Sequence, residues 1–146
     1  MKRFLVLVVA TGFVFNSCSN DDEDSDEFSI VGVWSPSREI AVSGSNGVTI
    51  SNEPASSCYK YSTFDFKSDN MLTSKIYDTD ITGTCENFGT ETVPYSYDHN
   101  AKKLVIDNEV TEIVSRTSGE LQIVTDYEDV DDDNIDDKII LVLVKQ

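Results

Sequence analysis

An all-β fold is predicted, and three observations predict it. Helical hydrophobic periodicity is almost absent between Phe28 and Gln146. Short runs of β-branched and aromatic residues recur instead, divided by Gly, Asn, Asp and Ser. The dividing segments are short and turn-like, which favours antiparallel neighbours. Residues 28–146 make 119 in all, the size of one domain, with no internal repeat and no Pro-rich linker.

The elements follow in order. Strands are expected near Ile30–Trp34, Arg38–Val42, Val48–Ser51, Lys60–Lys67 and Met71–Tyr77. Further strands are expected near Thr92–Tyr97, Lys103–Ile106, Val110–Ser115, Glu120–Thr125 and Lys138–Lys145. Ser43–Gly47, Ser68–Asn70 and Asp98–Lys102 read as hairpin turns, because Gly and Asn tolerate positive φ. Alternation puts Phe64 with Phe66 on one face, Leu72 with Ile76, Val93 with Tyr95 and Tyr97, and Leu121 with Ile123. Ile139–Val144 is apolar at every position, so it belongs in the middle of a sheet or under cover. An up-and-down meander closed into a small barrel of about 8 to 10 strands hides the strand edges; an open β-sandwich is the alternative.

The N-terminus reads as an address. Lys2 and Arg3 precede a 12-residue apolar run, Phe4–Phe15. As a helix it would extend about 18 Å, short of the ~30 Å hydrocarbon core, so residues 1–17 read as a signal segment rather than a span. Ser17-Cys18 directly after that run resembles the lipobox of bacterial lipoproteins, whose Cys becomes the lipidated first residue. Phe15 and Asn16 depart from that pattern, and an ordinary signal peptide with Cys18 as a free thiol is the alternative. Residues 18–27 then read as a lipidated Cys and a tether with six acids from Asp21 to Glu27. Such a run resembles the surface-export signal of some Gram-negative lipoproteins. The implied location is the cell envelope, anchored to the outer membrane and facing either the surface or the periplasm.

Charge and cysteine usage narrow the classes. The formal net charge is −16, and removing Lys2 and Arg3 with the signal takes it to −18, which disfavours nucleic acid and anionic head groups as partners. Three cysteines are an odd number. With Cys18 assigned to lipid, Cys58 and Cys85 remain as a pair, a disulfide in an oxidising compartment or two buried thiols otherwise.

The order of landmarks resembles the lipocalin-like lipoproteins of Gram-negative bacteria across most of residues 28–146. Ile30-Val31-Gly32-Val33-Trp34 opens the domain, Phe64–Asn70 turns into a second strand, and Tyr95-Ser96-Tyr97, Leu104–Ile106 and Lys138–Gln146 follow. Gly32-x-Trp34 is similar to the Gly-x-Trp of the first lipocalin strand, where the Trp plugs the closed end. Thr125-Asp126-Tyr127 is similar to a Thr-Asp-Tyr found in some lipocalins. Two features depart: no Arg follows Tyr127 to pack on the Trp, only Lys138 and Lys145, and no C-terminal helix is expected. The resemblance implies a barrel that binds a small apolar molecule without catalysis, with Trp34, Phe64, Phe66, Tyr95 and Tyr97 as plug or ligand lining. The same aromatics would equally fill a solid core, leaving an accessory subunit whose protein partner the sequence does not name.

Catalytic constellations are not apparent. The single His, His99, falls in a predicted turn and reads as solvated. No cofactor is expected. The densest cluster is Asp126–Asp137, with eight acids in 12 residues. Asp129, Asp131, Asp133 and Asp137 are spaced like the start of an oxygen-ligand Ca²⁺ loop, with Asn134 in the glycine place and Ile140 where a bidentate Glu belongs. A solvated hairpin tip is the reading adopted; weak Ca²⁺ binding is the alternative.

Overall fold

The computed structural model describes residues 28–146. Residues 1–27, with the expected signal segment, Cys18 and the expected acidic tether, lie outside the described residues. The domain is an antiparallel sheet of ten strands: β1 (Gly32–Val42), β2 (Thr49–Pro54), β3 (Thr63–Phe66), β4 (Met71–Thr79), β5 (Cys85–Asp98), β6 (Lys103–Ile106), β7 (Glu109–Thr111), β8 (Ile113–Arg116), β9 (Glu120–Glu128) and β10 (Asp137–Lys145). The order is β7-β6-β5-β4-β3-β1-β10-β9-β8, with β2 also paired to β1. The two ends of this path, β7 and β8, are consecutive in the chain and separated only by Glu112. They form one kinked stave, and the Val124 amide donates to the Glu112 carbonyl across the kink at 3.0 Å. The sheet is thus wrapped into a nearly closed up-and-down barrel, and the sandwich alternative falls away.

Several strand boundaries move for physical reasons. The first two expected strands are one, β1, running through Pro36 with a register shift between Pro36 and Arg38. Proline cannot donate to a ladder but is tolerated at such a bulge. The expected strand at Lys60 begins instead as a 3-10 turn, Tyr59–Tyr61, and only Thr63 onward is β. The expected Thr92–Tyr97 strand starts seven residues earlier, because polar Cys85–Glu91 pairs with β4. The expected Val110–Ser115 strand breaks at Glu112.

Two of the three expected turns have the predicted chemistry; in the third, Lys102 rather than Asn100 takes the positive φ. Gly47 (φ 73°), Asn70 (φ 65°) and Lys102 (φ 51°) occupy left-handed positions in the three expected hairpins. A fourth hairpin joins β6 to β7 through Asp107 (φ 48°) and Asn108 (φ 70°), the two positive φ values that a type I′ turn requires. β10 is flanked by β1 and β9 and is buried from Ile140 to Leu143, as its two-faced apolar run demands.

The core lies in one half of the barrel. Trp34 is fully buried, and its indole N–H donates to the Ile30 carbonyl at 2.8 Å. Phe28 packs on Trp34 and Tyr97, with ring centroids 6.2 and 5.6 Å apart. Lys145 supplies the cation on the Trp34 ring, and Arg116 adds a second on the neighbouring rings of the plug. Lys145 Nζ lies 5.3 Å from the Trp34 ring, and the Arg116 guanidinium lies 5.3 Å from Phe28 and 5.5 Å from Tyr97. Gly32 makes room for the first: a Cβ there would come within 2.7 Å of Lys145 Cε, and its φ of 136° excludes most side chains.

Candidate functional site

The other half of the barrel is not filled. A cavity of about 510 Å³ opens there, within the range of small-molecule sites. Alternation on β3, β4, β5 and β10 builds it, while β9 lines it with consecutive Ile123, Val124 and Thr125 beside its register shift. β3 contributes Phe64 and Phe66, β4 contributes Leu72, Ser74 and Ile76, and β5 contributes Glu91 and Val93. β9 and β10 supply Ile123, Thr125, Leu141 and Leu143 from the opposite wall. Cross-strand partners share a face, so the registers fix this lining: Phe64 opposes Ser74, Ser74 opposes Glu91, Leu72 opposes Val93, and Leu141 opposes Ile123. The floor is Phe66, Leu72 and Leu143, each nearly fully buried. Polar groups, Glu91, Asp107, Glu109 and Thr125, are exposed toward the mouth.

Tyr59 completes the wall from outside the sheet. It sits on the 3-10 turn that follows Cys58, and Cys58 is joined to Cys85 at the start of β5 with Cα atoms 5.4 Å apart. The bridge therefore pins the turn to the rim of the β4–β5 hairpin. Burial pushes the Tyr59 phenol pKa up, and the carboxylates of Glu39 and Asp78 push it further. Ser62, buried beside the turn, accepts from the Tyr77 amide at 2.9 Å and fixes the turn to β4.

The five aromatics singled out in the sequence divide between two roles. Phe64 and Phe66 line the cavity. Trp34 and Tyr97 belong to the aromatic plug, while Tyr95 packs edge-on to Phe66 at 5.0 Å and donates its hydroxyl to the Lys67 carbonyl at 2.7 Å. Tyr59, Ser74, Glu91 and Leu141 were not singled out; alternation from Phe64 across the register reaches Ser74 and Glu91, but no local signal marks Tyr59. His99 is in the predicted turn yet half-buried rather than solvated, its ring 6.4 Å from Tyr97 and its carbonyl accepting from Arg116 at 3.2 Å.

Thr125-Asp126-Tyr127 lies on β9 beside the barrel's kink. The Tyr127 hydroxyl donates to Glu112 at 2.9 Å, and Lys138 Nζ donates to the same carboxylate at 2.6 Å. Glu112 is the one residue between β7 and β8, so this exposed triad ties the interrupted stave to β9 and β10.

The acidic loop splits the four expected carboxylates. Oxygens of Asp129, Asp131 and Asp137 lie within 4.8 Å of one another, whereas Asp133 turns away to accept from the Ile135 amide at 2.8 Å. Asp137 is fully buried and accepts from the Gly44 amide at 2.9 Å and the Val130 amide at 2.8 Å. The Gly44 contact holds its pKa below the ordinary carboxylate range. Asp129 accepts from the Asp133 and Asn134 amides. Two of the three converging carboxylates thus already cap the loop's own backbone. A side chain at Gly44 would collide with the Asp136 carbonyl, so the loop docks tightly on the β1–β2 turn.

Comparison with known proteins agrees with this architecture. No curated protein and no solved structure gives a significant match. Residues 30–123, from the segment entering β1 through the cavity wall of β9, match the lipocalin-like domain, and this match covers well over half of the chain. The chain belongs to the lipocalin-like domain family.

Proposed function

We propose that this protein is a non-enzymatic carrier that holds one small, largely apolar molecule in the open half of its barrel. The observation that carries the reading is the unfilled cavity above the buried apolar floor of Phe66, Leu72 and Leu143, in a barrel whose other half is plugged by Trp34 and its aromatic neighbours. Apolar walls would gain roughly 25 cal/mol for each Å² of ligand surface removed from water, without any covalent chemistry. The cavity weighs against the accessory-subunit reading, which needs a filled core.

The same proposal places the carrier in the envelope of a Gram-negative bacterium, exported by residues 1–17 and anchored through lipid on Cys18. Support comes from the Ser17-Cys18 arrangement and from the odd cysteine left after Cys58 and Cys85 pair. Two experiments test it. Titration with the neutral dye Nile red should give one saturable site that long-chain alkanols displace; no fluorescence gain would refute the carrier. Intact mass should show an acylated Cys18, and Cys18→Ala should release the protein from membranes; an unmodified, unanchored wild type would refute the anchor.

A further inference from the structure

The cavity has a sign of charge as well as a shape. Glu91 stands on the β5 wall, and Asp107 and Glu109 stand on the β6–β7 hairpin at the mouth. No Lys, Arg or His lines the cavity among the described residues. Neighbouring bases are directed elsewhere. Lys75 alternates with inward Ser74 and Ile76 and lies 5.0 Å from the Tyr77 ring on the outer face. Arg38 borders an adjoining depression with Glu39, Glu53 and Asp78, and its guanidinium faces Glu120 at 3.6 Å. Low-dielectric walls focus the field of the rim carboxylates into the mouth. Tyr59 borders both the cavity and that adjoining depression, and its phenol pKa is pushed up first by burial and then by Glu39 and Asp78.

A ligand whose apolar body fills the barrel leaves its polar end among these carboxylates. A carboxylate or sulfate end would meet like charge, with no basic side chain in the cavity lining among the described residues. An ammonium end would meet charges of opposite sign. We infer that the barrel selects amphiphiles with a cationic end, an amine or quaternary ammonium, over fatty-acid-like anions. This inference rests on the carrier reading above.

The experiment separates the two. Dodecyltrimethylammonium and dodecanoate below their micelle concentrations, and dodecanol below its solubility limit, compete for Nile red on the folded protein at low and high salt. The cation should bind roughly tenfold more tightly than the anion at low ionic strength, with dodecanol between them. The preference should shrink in 0.5 M salt, as exposed-charge screening at about 3–10 Å Debye length demands. It should shrink too in the Glu91→Gln/Glu109→Gln double variant. Ser74→Trp, which puts an indole into the cavity, should abolish displacement by all three. Equal or reversed affinities with dodecanol still binding would overturn the charge inference and leave the carrier intact. Cation binding that survives Ser74→Trp would place it on the acidic exterior and also overturn the inference. Failure of all three ligands would overturn the carrier itself.

Discussion

Breaking the Cys58–Cys85 bridge should cost the domain much of its stability and loosen one wall of its cavity. The two residues are 27 apart in sequence, so the closed loop holds 28 residues. Constraining a loop of that length in the unfolded chain contributes ~3.6 kcal/mol on the chain-entropy estimate. The 119 described residues unfold with an entropy of about 0.25 kcal/mol/K at the usual ~2.1 cal/mol/K per residue. The ratio predicts a melting temperature lower by about 14 °C in Cys58→Ala/Cys85→Ala. Alanine is the better replacement because Cys58 is only 2% exposed, and serine would bury a hydroxyl there. Denaturant unfolding of wild type with and without reductant should reproduce the same difference to within about 1 kcal/mol. Hydrogen exchange should quicken at Tyr59–Tyr61, the turn the bridge pins. A loss below about 1 kcal/mol, or unchanged exchange at that turn, would refute the assignment of the bridge as its constraint.

Four shorter predictions go with it. Lys145→Met should cost about 0.5–1 kcal/mol and shift the emission of Trp34, the only tryptophan, while Lys145→Arg restores both; an unmoved spectrum would remove the cation from the plug. Gly32→Ala should mimic Lys145→Met with additional destabilisation, because the new Cβ displaces the lysine stem. Glu112 is held below the ordinary carboxylate range by its hydrogen bond from Lys138 and then that from Tyr127, and Lys138 is raised in turn by Glu112. Their stabilisation is therefore present above the unfolded Glu value of ~4.3 and fades as pH falls through the lower folded value; it is complete below the unfolded Lys value of ~10.4 and fades as pH rises through the higher folded one. Both side chains are at least 40% exposed, so Glu112→Gln should flatten these flanks by only ~0.2–1 kcal/mol, and identical pH–stability curves would contradict the triad. Melting in 10 mM Ca²⁺ should match melting in EDTA at equal ionic strength, since Asp129 and Asp137 already cap backbone amides; a Ca²⁺-specific rise would reopen the loop as a cation site.

Much of the barrel is written locally. The two-faced run Ile139–Val144 forces β10 inward, and Asn70 and Gly47 sit where positive φ is needed. What the sequence conceals depends on partners far along the chain. The polar first half of β5 is a strand only because β4 offers it a ladder, and Glu112 breaks a stave whose halves pair with different strands. Which cations serve the plug was equally hidden, although Lys138 and Lys145 were visible as the only bases after Tyr127. Lys145 reads as a terminal lysine until register puts it opposite Trp34, and Arg116 precedes the position where the family pattern directs attention. Tyr59 enters the cavity wall through a disulfide and a single 3-10 turn, neither of which has a period. Phe64 and Phe66 were the aromatics of the site visible in the sequence; the cavity itself is a consequence of closure.

Isothermal titration of dodecanol into wild type and Ser74→Trp, with Thr125→Trp as a second variant from the opposite wall, addresses the carrier most directly. Each variant is first shown to melt cooperatively near the wild-type temperature. One dodecanol bound by wild type and at least tenfold weaker binding by both variants is the predicted result. Undiminished binding in both would contradict a ligand in the barrel.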